Sequence, residues 1–407
     1  MIGRTITDDN GQKFKIVASL GSGSQADVYK ATDATGNVVA IKLFRPGNSE
    51  MPRAKQLMKL GLPSSLPVAM PRSTISTGAL EGYVTDFVEG VLLESLFEAG
   101  QLDYFASFKL VAMLWIALAK LHAHGLIHGD VQSQNIMITP SGDVMFIDID
   151  NFVTQRVTIP APCVGEHFVL APELRSRLQR GENVAPFISY QSDVYALNVL
   201  CYLLLTGEDD TYGAASVDEF NQRRLAGGWN GDRYGKGLSS GAGLPPQMLP
   251  LELESLIRQA WSGNPLLRPG AADFARATSN ILANGQLIAC EQCGMPVFID
   301  STKTTCPHCR TALPTPVLVR ADGSNIVVSG SYLLLGRNDL GGDPSVSAKH
   351  AILQREGPLL RVTDRSTYGS WRNRSGSWEQ LPKGAPVIVH PGEMLRFGNV
   401  KLNVGRV

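Results

Sequence analysis

Net charge is the first thing this sequence lacks: 37 Lys and Arg balance 37 Asp and Glu over 407 residues. No global field draws such a chain to nucleic acid or to an anionic membrane, and neither is expected as a partner. Long hydrophobic runs are missing too. The longest, 194–205 (VYALNVLCYLLL), contains an Asn and falls short of the roughly 20 apolar residues that cross a bilayer. The opening MIGRTITDDNGQ has no apolar stretch of the kind a secretory signal needs. Cysteine is scarce, six in all: Cys163 and Cys201 stand alone, while Cys290, Cys293, Cys306 and Cys309 form two CxxC pairs. A secreted disulfide framework spreads its cysteines more widely. These absences lead to the expectation of a cytoplasmic protein whose four clustered cysteines bind metal. At 43% hydrophobic and 18% charged residues the chain is globular and not disordered.

Three regimes follow one another, and the fold class expected is α+β and multidomain. Residues 10–285 begin with short extended segments and turn helical. Residues 286–315 are rich in Cys, Gly, Pro and Thr. Residues 316–407 hold short strands (PVLVRA, NIVVS, SYLLLG, AILQRE, LLRVTD, PVIVH, EMLRFG, VKLNV) separated by turn residues, the pattern of an all-β sandwich. From Pro316 onward 12 Lys and Arg face 7 Asp and Glu, so that part is +5 and the remainder −5. A basic sandwich suits an anionic ligand.

The first regime carries a phosphate-transfer pattern. Gly21-Ser22-Gly23-Ser24-Gln25-Ala26-Asp27-Val28 joins two extended segments, and such a loop can lay backbone N–H groups over phosphates because no side chains intrude. The strand Val39-Ala40-Ile41-Lys42 follows. An amphipathic helix is expected over 104–121, stopped by Gly125. After it come His128-Gly129-Asp130-Val131-Gln132-Ser133-Gln134-Asn135 and, behind an apolar strand, Asp148-Ile149-Asp150. Asp130 can orient a hydroxyl nucleophile, and Asn135 and Asp148 offer the hard oxygen ligands that magnesium prefers.

Taken in order, these motifs resemble the eukaryotic-type protein kinase, and Ala171-Pro172-Glu173, Asp193 and Arg268 match three more of its landmarks. The resemblance implies a bilobal fold over 10–285 that binds ATP and Mg2+. It places nucleotide against Gly21, Ser22, Gly23, Ser24, Ala26, Val28 and Ala40, with adenine bonded to backbone near Asp86 and Val88. It puts Lys42 on the phosphates, Asn135 and Asp148 on magnesium, and Asp130, Lys42 and Gln132 in the catalytic set. The chain departs from the pattern in several places. Gly129 replaces the arginine that answers a phosphorylated activation loop, and 151–173 holds only Thr154 and Thr158 as hydroxyl acceptors. Gln132 replaces a lysine, and the metal motif reads DID, whose Asp150 is a further metal ligand to consider. No Glu lies between Glu50 and Glu81 to pair with Lys42. That leaves Glu50 and the uncharged Gln56.

In the middle regime 12 residues separate Cys290-x2-Cys293 from Cys306-x2-Cys309. Two turns with two thiolates each suit a closed tetrahedral Zn2+ site, and the segment resembles a zinc ribbon; a redox dithiol pair is the rival. In the last regime Gly336-Arg337, Ser347-Ala348-Lys349-His350 and Ser366-Thr367-Tyr368-Gly369 resemble the forkhead-associated (FHA) phosphothreonine-binding domain. That resemblance implies phosphate contacts from Arg337 and Ser347, charge from Lys349, and Thr367 at the peptide-facing turn. Tyr368 stands where the family has Asn. The whole suggests a bacterial Ser/Thr protein kinase acting on protein substrates and recruiting phosphothreonine-containing proteins. The resemblance extends to systems that add a cognate phosphatase and a von Willebrand-type protein. The alternative is a nucleotide-binding pseudokinase scaffold whose FHA domain docks partners.

Overall fold

Alternation along Val38–Phe44 decides how the N-terminal sheet is filled. Val39, Ile41 and Leu43 turn into an apolar cluster with Phe14, Ile16, Ile75 and Val84, while Ala40 and Lys42 face an open cleft. A computed structural model describes this chain except for residues 24, 48–50, 79, 101, 155–168, 208–215, 217–218, 220–243, 245–247, 300–302 and 329–331. Two compact units divide it, one running up to Thr278 and one from Ser279 to Val407, the short stretch 247–250 grouping with the second.

The first unit opens with six antiparallel strands in the order β1-β2-β3-β4-β6-β5. They are β1 (Thr5–Thr7), β2 (Lys13–Ser22), β3 (Ala26–Asp33), β4 (Val38–Phe44), β5 (Pro71–Thr77) and β6 (Leu80–Asp86). The sheet thus takes in residues before position 10. Helix α1 (Met51–Met58) packs on β5 and β6. A three-stranded sheet of β7 (Val91–Leu92), β8 (Ile136–Ile138) and β9 (Val144–Phe146) lies between this lobe's last strand and the helices. The helices are α2 (Leu93–Ala99), α3 (Tyr104–Ala123), α4 (Pro172–Gln179), α5 (Tyr190–Thr206), α6 (Leu251–Ala260) and α7 (Ala271–Ala283).

Two of these helices form the centre of the lobe. Asp103 caps α3 by accepting from the Ala106 N–H at 2.8 Å, and Ser189 and Ser192 form a reciprocal capping box at the start of α5. The expected amphipathic helix forms, but it is buried on more than one face: α5 packs along it, and Trp115 stacks on Phe274 with ring centroids 3.9 Å apart. By length and composition α3 could cross a membrane, with a mean hydropathy of 1.5; 61% of that window is buried within the protein, as in a core helix.

In the second unit β10 (Leu287–Ala289) pairs with β11 (Pro296–Phe298). A sandwich follows, with one sheet ordered β13-β12-β21-β20-β17-β18 and the other β14-β15-β16-β19. Their strands are β12 (Pro316–Val319), β13 (Asn325–Val327), β14 (Leu333–Leu335), β15 (Ala351–Glu356), β16 (Leu359–Asp364), β17 (Ser370–Arg374), β18 (Ser377–Gln380), β19 (Pro386–Val389), β20 (Met394–Phe397) and β21 (Val400–Arg406). Leu318, Leu353, Leu360, Leu395 and Phe397 lie in its core.

Candidate functional sites

A cleft of about 530 Å3 opens beneath the N-terminal sheet. Of the residues singled out in the sequence, Gly21, Val28, Ala40, Lys42, Asp86, Val88, Asn135 and Asp148 line it. Ser22, Gly23 and Ala26 belong to the loop above it: Gly23 N–H donates to the Ala26 carbonyl at 2.9 Å, and Ser22 donates to Asp27 at 2.6 Å. Ser24 lies outside the described residues, as do Glu50 and Thr158. Sequence reasoning did not single out the apolar walls, Leu20, Ala69, Met137 and Ile147.

Asp130 is held from three sides. Asn135 Nδ2 donates to its carboxylate and to its carbonyl, each at 3.0 Å, Gln132 Nε2 donates at 3.1 Å and Asn151 Nδ2 at 3.3 Å. Asn151 was missed in the sequence because it belongs to no motif. The loop is also fixed from below, where the buried Asp193 carboxylate accepts from the N–H groups of His128 (2.7 Å) and Gly129 (2.9 Å) and contacts His122 at 3.1 Å. His128 is buried between Phe146 and Phe152, and burial keeps its ring below the usual imidazole range.

Lys42 reaches two carboxylates, Asp148 at 2.8 Å and Asp150 at 2.7 Å. Burial opposes the ammonium charge, but the two acids outweigh it and hold the Lys42 pKa above its ordinary value. Asp150 is only 3% exposed, and burial followed by the neighbouring Asp148 pushes its carboxyl up to about 6. Asp148 has left-handed backbone, φ 60°, and accepts from the Asp150 N–H at 3.3 Å.

On the sandwich, three loops converge. Arg337 N–H donates to the Ser347 carbonyl at 3.1 Å, its Nε donates to Val346, and Thr367 N–H donates to Ser347 Oγ at 2.9 Å. His350, fully buried, links them: Nδ1 accepts from Ser347 N–H at 2.9 Å, so Nε2 carries the proton it donates to the Gly369 carbonyl at 3.0 Å. Burial lowers the His350 pKa and favours this neutral tautomer. A Cβ on Gly336 would sit 2.0 Å from the Ala348 carbonyl, so the close approach of these loops demands glycine. Lys349 and Tyr368 are exposed, the latter at 56%.

The four cysteines also meet. Their sulfurs all lie within 4.8 Å of one another, with Cys290 to Cys309 at 3.7 Å and Cys293 to Cys306 at 3.8 Å. The two turns are built alike. Gly294 N–H bonds to the Cys290 carbonyl and Arg310 N–H to the Cys306 carbonyl, and both residues are left-handed, φ 71° and 63°. His308 faces the Pro296 carbonyl at 3.0 Å. The turns do not stand apart from the sandwich. Cys290, Val297, Ile299, Cys306 and Leu313 share an apolar cluster with Leu359 of β16 and Ile388 of β19, and Gln286 donates to Glu356 at 3.0 Å.

The family model for the protein kinase domain matches residues 14–277. The chain belongs to the protein kinase family. The model for the FHA domain matches residues 320–398. Relatives include the probable serine/threonine-protein kinase PknB of Lactococcus lactis, 26% identical over 231 residues, 53% of this chain and 34% of the relative. The serine/threonine-protein kinase PknB of Mycolicibacterium smegmatis is 28% identical over 225 residues, 50% of this chain and 34% of the relative. The chain thus spans about a third of the length of these two curated relatives. The crystal structure of Rad53 1-466 in complex with AMP-PNP overlays with a TM-score of 0.49 and 18% identity, covering 64% of each chain, too distant to argue from.

Within this kinase, the missing catalytic-loop arginine has a backbone cause. Gly129 is left-handed at φ 76°, and a Cβ there would lie 2.5 Å from the Asn151 carbonyl. No side chain fits without moving that loop. Gln132, expected near developing charge, spends its amide on Asp130 instead. Glu173 and Arg268, two of the matched landmarks, form a bidentate pair at 2.8 and 2.6 Å.

Proposed function

We propose that the chain is an ATP- and Mg2+-dependent Ser/Thr protein kinase whose FHA domain recruits phosphothreonine-containing proteins. One observation carries the catalytic reading: Lys42, Asn135 and Asp148 line a single cleft, and Asn135 bonds directly to Asp130, which three amides hold in place. Asp130 orients the hydroxyl of the protein substrate, and its three amide donors keep the carboxylate aimed while a proton is shared. Lys42 holds the α- and β-phosphates. Asn135 has given its nitrogen to Asp130, so its amide oxygen, with the 35%-exposed Asp148 carboxylate, forms a hard-oxygen pair that fits magnesium. Bound magnesium would neutralise charge on the phosphates as the γ-phosphoryl group passes to the substrate oxygen. With a Ser/Thr peptide library, the purified protein should transfer phosphate, and Asp148→Asn should slow it by about 100-fold or more, roughly 2.7 kcal/mol of barrier. Nucleotide binding without transfer would instead favour a pseudokinase scaffold.

The FHA reading assigns phosphate to Arg337 and Ser347, with Lys349 adding charge and Thr367 facing the peptide. A guanidinium and a hydroxyl on loops braced by His350 support it. Calorimetry should find a phosphothreonine peptide bound at least about tenfold tighter than its plain threonine form, the size of one charge-assisted hydrogen bond. Arg337→Ala should erase the difference. Equal affinity for both peptides in the unaltered protein would mean docking of an unphosphorylated surface. Protein substrates, a cognate phosphatase and a von Willebrand-type protein complete the proposed partners, and co-purification tests them.

The four thiols fit Zn2+. A tetrahedral site with Zn–S near 2.3 Å has sulfurs about 3.8 Å apart, and the two closest pairs stand at 3.7 and 3.8 Å. The assignment is a structural zinc ribbon on the flank of the sandwich.

A further inference from the structure

Among the described residues, no acid from a helix stands beside Lys42. From Met51 to Leu80 the chain contains no acid, and α1 (MPRAKQLM) instead buries a cation, Arg53, 1% exposed, which donates to the Phe152 carbonyl. A buried ammonium still needs an anion. Two lie within reach, and they are not equivalent. Asp148 is 35% exposed and lines the nucleotide cleft, where magnesium would claim it. Asp150 is buried, does not line the cleft, and is held on its other oxygen by the Tyr83 hydroxyl at 3.0 Å. Tyr83 is the cross-strand partner of Lys42 in the β4–β6 register, so the lysine and the group that aims its counter-ion rise from one rung of the sheet.

We propose that Asp150 is a positioning residue that replaces the helix glutamate, anchoring Lys42 from the metal-binding loop itself. Lys42 is then located by the segment that also carries Asp148, and α1 contributes no charge to its placement. This role differs from that of a further metal ligand, since both Asp150 oxygens are engaged, by Lys42 and by Tyr83, and Asp150 does not line the cleft. The inference rests on the nucleotide cleft proposed above, and the test separates the two.

Binding of a nonhydrolysable ATP analogue to the full chain, measured by calorimetry in EDTA, reads the anchor without turnover or metal. The unaltered protein should bind; absence of binding would overturn the cleft reading and the anchor with it. Asp150→Asn keeps the shape of the side chain, and thermal unfolding checks that the first unit remains folded. The variant should bind the analogue about fivefold or more weakly in EDTA, an ordinary coupling between neighbouring groups. In a Lys42→Met background the same substitution should add less than about twofold, because its route runs through the lysine. Unchanged affinity in EDTA with a loss only in magnesium would make Asp150 a metal ligand and overturn the proposal. An equal further loss in the Lys42→Met background would overturn it as well, by assigning Asp150 a purely structural role.

Discussion

Replacing Arg268 with alanine should destabilise the kinase unit by about 3–5 kcal/mol, the cost of stripping one partner from a buried ion pair. The side chain of Arg268 is 0% exposed. It donates to both Glu173 oxygens, to the Gln191 carbonyl at 3.1 Å and through Nε to the Ser262 carbonyl at 3.0 Å, and it lies 4.9 Å from the centre of the Tyr195 ring. One guanidinium therefore ties the first turn of α4, the start of α5 and the segment after α6. Alanine would strip the guanidinium from the carboxylate at the head of α4 and remove one donor from each of two carbonyls. Arg268→Lys should recover only part of the loss, because an ammonium cannot reproduce the planar fork. The double variant Arg268→Ala, Glu173→Ala should be less damaged than the sum of the two single changes. Chemical denaturation followed by tryptophan fluorescence reads this, since Trp261 packs edge-on against Tyr195. A loss below about 1 kcal/mol would mean that the pair contributes little beyond filling space.

Removing zinc should be the more drastic change for the second unit. Structural zinc in small modules contributes about 10–16 kcal/mol of apparent binding free energy at neutral pH, far more than the short β10–β11 ladder can supply. Elemental analysis should find one zinc per chain, and Cys306→Ser, at a fully buried position, should abolish retention. The sandwich itself should survive, because Leu318, Leu353, Leu395 and Phe397 form a core of their own. Chelation should instead uncover Leu359 and Ile388, which the cysteine turns cover, so amide protection would fall in β16 and β19 as well as in the turns. Protein purified without chelators that contains no zinc, or a Cys306→Ser variant that keeps its metal, would refute the site.

What the sequence made legible was local. The order of the kinase motifs, the alternation that turns Ala40 and Lys42 to one face, and the paired CxxC turns each sit within a few residues, and each needs a particular residue type at a particular place. What it hid was relational. Asp150 reaches Lys42 only because β9 delivers its loop beneath β4, and no spacing rule predicts that a second aspartate stands in for a helix glutamate. Asn151 grips Asp130 across 21 positions that no motif spans. Strands β17 and β18 escaped notice because SWRNR and SWEQ lack a period-two apolar pattern; their Trp371 and Trp378 pack against Arg396 at 4.2 and 5.3 Å instead of entering the core. The cysteine turns looked self-contained in the sequence, whereas Leu359 and Ile388 of their apolar cover come from strands about 50 to 100 positions further on.

The catalytic loop of this kinase is fastened by backbone: Asp193 takes two main-chain N–H groups, and Gly129 leaves no room for a side chain. Gly129 therefore offers no cation to a phosphate mark beside that loop. On the function proposed above, information about when to act would enter through address and not through a latch, with the rate at any moment set by which protein the phospho-reader brings within range. In circuit terms such a kinase would be a fixed-gain stage, with its specificity written in the wiring.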